Sequence, residues 1–380
     1  MKQILISLVL VISVVSCNLP PQKKAPEESS VRKLKVAVFD GNGAGAVSVV
    51  ETIEALKIDT GIEAEALSAV DIQQGKLQDF DALIFPGGSG SKELNNLGES
   101  GKQIVTDFVK NKGKGIVGIC AGGYLLSSTA GYPNLALASS VHIDRKHYNR
   151  GRGLIQIALT GQGEKVFPEL KGNKLFVQYY DGPVLVQSDS TPGSYTEIGT
   201  FVSDIHPDNF APSGLTPGKT FLLNQSCGKG KLFISAGHPE STPGMRWMIP
   251  RMARWVCGAP LVSYNSKWIR PQINSKEILF DSKLKKYEKQ LFWKLFSHKP
   301  QEQIAAMDSL YALRSRPAVR WSIGLLRSIH PQTRRRAAEL LMQTEYSAAL
   351  PDLREALAKE SDDQVKETLK KTIDFLENKG

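Results

Sequence analysis

Ile116-Val117-Gly118-Ile119-Cys120-Ala121-Gly122 is the stretch on which the reading of this chain turns. Residues 116–119 are apolar or small throughout, with no polar alternation. A strand of this kind is buried on both faces, as in a parallel sheet covered by helices. It runs straight into Gly-x-Cys-x-Gly, where small residues let the chain turn sharply from strand to helix and leave the central side chain exposed. Working outward, Val36-Ala37-Val38-Phe39 is a second such run, stopped by Asp40-Gly41-Asn42-Gly43. Ala82-Leu83-Ile84-Phe85 is a third, stopped by Pro86-Gly87-Gly88. Residues 46–56 and 101–109 between them carry helical spacing, the second with Ile104, Phe108 and Val109 on one side. Further strands are expected at 155–159, 174–177 and 232–235. Gly228-Lys229-Gly230 makes a hairpin turn between 221–223 and the last of these. A closing helix is expected over 243–256. The alternation predicts an α/β domain over residues 34–260, with a mostly parallel sheet and helices on both faces.

The flanks differ in character. Lys2 and the apolar run 4–15 have the form of an export signal, too short for a stable membrane span. The run ends in Val14-Val15-Ser16-Cys17, which resembles a bacterial lipobox. That implies cleavage before residue 17, lipidation of Cys17 and a place in the bacterial cell envelope outside the cytoplasm, lipid-anchored to a membrane. Residues 18–33, rich in Pro, Lys, Glu and Ser, read as a flexible tether. Residues 261–300 are Lys-rich with little period and read as a linker with some helix. From 301 to 380 the pattern is helical throughout. Arg334-Arg335-Arg336-Ala337-Ala338-Glu339-Leu340-Leu341 and its neighbours resemble a short HEAT-type repeat array, with a plain helical bundle as the alternative.

Composition narrows the function. The formal charge of +10 is scattered, with no basic stripe interleaved with aromatics, so no nucleic-acid partner is expected. Attraction to anionic membrane surfaces is the expected consequence of the excess charge. The four cysteines (Cys17, Cys120, Cys227, Cys257) do not make a disulfide framework. A pairing of Cys227 with Cys257 stays open. His142, His147 and Asp144 lie close together but lack metal-ligand spacing, so no metal is expected. Gly41-Asn42-Gly43 lacks the Lys-Ser/Thr end of a phosphate loop, and no cofactor is implied.

The chemistry-bearing candidates lie at strand ends. Cys120 is the expected nucleophile, with the helix that follows aiming its first N–H groups at the sulfur. His238, just past the last strand, is the expected acid–base partner, and Glu240 the carboxylate that orients it. The N–H groups of Gly87, Gly88 and Ala121 are candidate oxyanion donors. Tyr180 and Asp181 are candidate pocket-lining residues, with ordinary turn chemistry as the alternative. Asp40 and Asn42 are either pocket residues or loop caps.

Strand–Pro86-Gly87-Gly88, Gly118 to Tyr124 and Gly237-His238-Pro239-Glu240 resemble class I glutamine amidotransferase-like domains. Val38 to Ala44, Leu97-Gly98-Glu99-Ser100 and Tyr179-Tyr180-Asp181-Gly182-Pro183 extend the likeness to the N-terminal domain of eukaryotic-type biotin–protein ligases. The resemblance covers roughly residues 34–258 and implies a Cys120–His238–Glu240 triad. The ligase catalytic domain has no counterpart after Pro260, so the resemblance does not imply biotinylation. Nor is there an ammonia-consuming synthase domain. Asp181 stands where those relatives carry Asn, which leaves the substrate open. Two functions follow as expectations. One is a membrane-anchored cysteine hydrolase or amidase acting on a small-molecule or peptide amide. The other is a non-catalytic binding or scaffold protein whose helical repeats recruit a protein partner.

Overall fold

The computed structural model describes residues 32–190 and 193–377. Cys17, the leader and the tether through residue 31 lie outside the described residues. The chain begins with β1 (Leu34–Phe39), α1 (Ala46–Leu56), β2 (Ile62–Leu67), α2 (Ala69–Gln73), β3 (Ala82–Phe85), α3 (Gly90–Lys110), β4 (Gly115–Ile119) and α4 (Ala121–Leu126); β1, α1, β3 and β4 match the runs read from sequence, while β2 and α2 had no such signal. These strands pair in parallel in the order β2-β1-β3-β4. Because successive side chains leave opposite faces of a strand, an unbroken apolar run feeds two cores at once. Val36, Val38 and Val117 pack with Val49, Leu56 and Met252 on one face. Ala37, Phe39 and Ile116 pack with Ile72, Leu97 and Phe108 on the other.

One helix is longer than its sequence period shows. α3 starts at Gly90, not near residue 101, and breaks at Gly98 with φ 63° and ψ 178°. Its first segment buries only Leu94 and Leu97 as large apolar side chains, too few to register as a period.

The second half of the sheet is antiparallel. It comprises β5 (Ser140–His142), β6 (Arg152–Leu159), α5 (Gly161–Val166), β7 (Leu175–Tyr180), β8 (Leu185–Gln187), β9 (Thr196–Phe201), β10 (Thr220–Cys227), β11 (Gly230–Ser235) and α6 (Met248–Val256). β11 pairs in parallel with β4 and antiparallel with β10, so the sheet changes sense there. The β10–β11 hairpin closes with Cys227 opposite Gly230. α6 starts at Met248, later than the period suggests, because Gly244 takes φ 80°. The result is a mixed α/β fold whose central strands are parallel, followed by C-terminal helices. Cys227 is a buried free thiol, not half of a disulfide.

Residues 261–300 do more than connect. β12 (Ile278–Leu279) adds an edge strand beside β6. α7 (Ser282–Lys294) is capped by the Asp281 side chain, which accepts from Leu284 N at 2.7 Å. It opens a helical region continued by α8 (Pro300–Ala312), α9 (Ala318–Leu325), α10 (Pro331–Gln343), α11 (Leu350–Lys359) and α12 (Asp363–Glu377). α8 and α10 carry Pro in the first turn, where its missing N–H costs no helical hydrogen bond. The region has its own apolar core, including Leu291, Met307, Leu310, Leu341, Leu353 and Leu369. Its seam with the α/β layer carries polar contacts beside an aromatic one, Trp268 against Phe375. Gly244 N donates to the buried Glu345 carboxylate at 3.1 Å, and Arg246 reaches Thr344 O at 3.0 Å. Gln178 Nε2 reaches Arg314 O at 2.7 Å. Among the described residues no helix is long and apolar enough to cross a membrane.

Candidate active site

β4 delivers Cys120 into a corner with φ 51° and ψ −99°, a conformation that costs a non-glycine residue on the order of 1–3 kcal/mol. Two glycines make that corner possible. A Cβ on Gly118 would sit 2.6 Å from the Gly122 carbonyl carbon, and one on Gly122 would sit 2.4 Å from Phe85 O. The corner is pinned to the next strand by Cys120 N donating to Ser235 O at 2.8 Å.

β11 ends at Ser235, and three residues later His238 N donates to Gln178 O at 2.7 Å. This fixes the imidazole at the same edge of the sheet as Cys120. His238 Nδ1 lies 2.7 Å from Glu240 Oε1. The same carboxylate oxygen accepts from Ser48 Oγ at 3.0 Å, and Ser48 Oγ in turn accepts from Gly87 N at 3.0 Å. Gly87 is required sterically, since a Cβ there would fall 2.5 Å from His238 Cε1. These three side chains are nearly sealed, with exposures of 6% for Cys120, 2% for His238 and 0% for Glu240.

Burial alone would drive the imidazolium towards its neutral form. The adjacent Glu240 carboxylate, and after it the Cys120 sulfur, outweigh that penalty and push His238 up to about 9. Arg316 acts against this rise. For Glu240, burial favours the protonated acid, but the His238 and Arg316 charges win and hold the carboxyl below its ordinary value. The site thus keeps a carboxylate and an imidazolium side by side near the sulfur at neutral pH. The sulfur's own close hydrogen bond is to Tyr180 O, at 3.3 Å.

Arg316 had no signal in the sequence. It comes from the turn between α8 and α9, pairs with Glu51 Oε2 at 2.9 Å and lies 3.8 Å from Glu240 Oε1. Glu51, on α1, also accepts from Ser241 Oγ. Ser48, Glu51 and Ser241 were likewise missed, because none belongs to a motif and each acts only through a partner remote in the chain.

The remaining candidates divide. Gly87 is corrected as an oxyanion donor, because its N–H is engaged by Ser48. Among the described residues the N–H groups of Gly88 and Ala121 have no acceptor. Tyr180 is 43% exposed and stands beside the sulfur through its carbonyl. Asp181 is corrected to a turn residue, with φ 53°. Its Oδ1 accepts from Gly151 N at 3.0 Å, its carbonyl accepts from Tyr124 Oη at 3.1 Å, and burial raises its carboxyl above the usual range. Asn42 N donates to the Asn96 side chain at 2.7 Å, and Asp40 N to Leu67 O at 2.9 Å, which ties the loop after β1 to α3 and β2. His142 contacts Thr129 Oγ1 at 2.8 Å and Tyr148 Oη at 3.0 Å, and burial pushes it down to about 4. His147 contacts Asp144 at 2.6 Å.

Beside the triad lies a cavity of about 520 Å³, lined by Val47, Tyr180, Arg316, Pro317, Arg320, Trp321 and Gly324. Its floor comes from the α/β layer and its wall from α9 and the turn before it.

Comparison with known proteins agrees on the first part of the chain. Residues 34–147 match the family model described as biotin-protein ligase, N terminal. No curated protein matches the chain. Among solved structures, a ThuA-like protein from Parabacteroides merdae is 14% identical over 62% of this chain and 99% of its own, with a TM-score of 0.41. A β-galactosidase from Bacillus circulans sp. alkalophilus is 13% identical over 60% of this chain and 32% of its own, with a TM-score of 0.36. A cytoplasmic protein of Salmonella typhimurium is 15% identical over 61% of this chain and 100% of its own, with a TM-score of 0.38.

Proposed function

We propose that this chain is a cysteine hydrolase of the class I glutamine amidotransferase type, cleaving an amide or ester. The observation that carries this reading is the 2.7 Å His238–Glu240 contact beside a cysteine held in a strand-to-helix elbow. In the cycle, Cys120 starts as a thiolate beside the His238 imidazolium, and the sulfur adds to the substrate carbonyl carbon. The N–H groups of Gly88 and Ala121 receive the oxyanion. Imidazolium then protonates the departing amine or alcohol as the C–N or C–O bond breaks, leaving a thioester on Cys120. Water, deprotonated by the now neutral His238, attacks the thioester, releasing the acid and restoring the thiolate–imidazolium pair. Glu240 holds the imidazole and balances its charge throughout. Biotin transfer is no part of this proposal. Anchoring through a lipid on Cys17 at the bacterial envelope is part of it, and a Cys17→Ala protein should take up no labelled fatty acid.

The test is the pH dependence of Cys120 alkylation by iodoacetamide, read at that residue by mass spectrometry. An ordinary thiol titrates near about 8.5. We expect fast modification already at pH 6, lost in His238→Ala. Slow modification with ordinary titration, unaffected by His238→Ala, would remove the catalytic reading.

A second reading is favoured by one feature of the C-terminal region. Its helices pack as consecutive pairs, α7 with α8, α9 with α10 and α11 with α12, in the manner of a HEAT-like array. In this reading the array docks a protein partner. Trp293 and Phe296, 69% and 60% exposed, are the surface to test. A co-purifying partner should be lost from the Trp293→Ser, Phe296→Ser protein, and its retention counts against the array as the docking surface.

A further inference from the structure

The cavity next to the triad has a chemical bias that the triad does not explain. Both charged residues in its lining are arginines, Arg316 and Arg320, and no carboxylate lines it. Arg316 is committed to Glu51 and Glu240. Arg320 is exposed and, among the described residues, has no ion-pair partner. Two aromatic side chains at the same opening, Tyr180 and Trp321, are each 43% exposed. A volume of about 520 Å³ is in the range of small-molecule sites. Two of the lining residues are also neighbours of the triad: the Tyr180 carbonyl accepts from Cys120 Sγ, and Arg316 stands 3.8 Å from Glu240.

Resting on the hydrolase reading above, we infer that the substrate is anionic, carrying a carboxylate or phosphate group that Arg320 binds while Tyr180 and Trp321 flank the rest of the molecule. A guanidinium presents several N–H donors in one plane, which suits it to bind both oxygens of such a group. Aromatic faces bind flat or apolar parts without an unmet polar demand. Arg316 stays committed to Glu51 and Glu240, which leaves Arg320 as the guanidinium in the lining that binds the anion. Selectivity on this reading lies outside residues 34–147, in the turn before α9 and in α9 itself.

Iodoacetate and iodoacetamide both alkylate a thiolate and differ in a carboxylate against a neutral amide, so their rate ratio at Cys120 reads the anion preference directly. The full chain should show an iodoacetate-to-iodoacetamide ratio about tenfold above that of the neutral thiol N-acetylcysteinamide, the scale of one charge-assisted contact. The ratio should fall to the model thiol's value in Arg320→Glu and part of the way in Arg320→Gln. Succinate and inorganic phosphate at matched ionic strength should slow iodoacetamide labelling, and the stronger protector identifies the anionic group. A ratio equal to the model thiol's, one unmoved by Arg320→Glu, or protection by neither anion would overturn the anionic substrate and leave the nucleophile standing. A Cys120 inert to both reagents would overturn the hydrolase reading, and this inference with it.

Discussion

Two corners of the backbone deliver side chains to one charge network, and they differ in what marks them. At Cys120 the chain takes φ 51°, and at Arg314, two residues before Arg316, it takes φ 54°. The Cys120 corner is made by its own sequence neighbours, Gly118 and Gly122, which leave room for the turn. The Arg314 corner ends α8 as a left-handed helix cap, with Arg314 N donating to Tyr311 O at 2.9 Å and Ser315 N to Leu310 O at 3.1 Å, and distant partners then clamp it. Its guanidinium holds Asn274 Oδ1 at 2.9 Å and Ile273 O at 2.8 Å, while Gln178 reaches over from β7 to its carbonyl at 2.7 Å. A corner encoded by adjacent residues is visible as a motif. A helix cap without glycine is ordinary in sequence, and the long-range clamp that brings Arg316 within 3.8 Å of Glu240 leaves no local trace.

The comparison can be broken most strongly at the first corner. Cys120→Ala should lower hydrolysis at least about 10⁴-fold, as removal of a nucleophile does elsewhere, while the protein still folds. A variant with wild-type turnover would show that the elbow is architecture only. At the second corner, Arg316→Met should destabilise the protein by about 3–5 kcal/mol in denaturant titration, because it strands two buried carboxylates. Adding Glu51→Gln should recover part of that loss. His238 should also titrate higher in Arg316→Met, since Arg316 opposes its protonation. A loss of stability within error of zero would mean that the helices lean on the site without contributing to it.

A third variant sharpens the contrast between a buried charge with partners and one without. Glu93, on α3, is fully buried, and neither of its carboxyl oxygens has a hydrogen-bond partner among the described residues. Burial pushes it up to about 8, from the 4.5 of an unperturbed glutamate. The folded state therefore holds this proton more tightly than the unfolded chain does. The corresponding stability is complete below pH 4.5 and is lost as pH rises through about 8. Within that window the slope is at most about 1.4 kcal/mol per pH unit. Glu93→Gln, which mimics the neutral acid, should flatten it. A slope unchanged in the variant would place the pH dependence elsewhere.

The parallel strands were legible because each is an apolar run ended by turn residues, and burial on both faces demands that pattern. Cys120, His238 and Glu240 were legible because each sits at or just past a strand end. Such ends share one edge of a parallel sheet, so position along the chain translates into position in space. The first segment of α3 and the edge strand β12 escaped, the one for want of apolar period and the other for its length of two residues. The role given to Gly87 failed for a different reason. Its N–H does point into the site, but Ser48, 39 residues earlier, had already engaged it. Asp181 fell to the turn alternative, because its carboxylate bonds backbone at Gly151 N.

The sequence by itself determined the central strands, the elbow and the three residues that meet at it, because local sterics and hydrophobic period act over a few residues. Only the tertiary structure decided which N–H groups stay available at the elbow and that a helical segment almost 200 residues later walls the cavity. It also decided that Arg316 joins Glu51 and Glu240 in one network. Those outcomes depend on which polar groups are left to satisfy one another once the cores have closed, and a linear pattern does not carry that information.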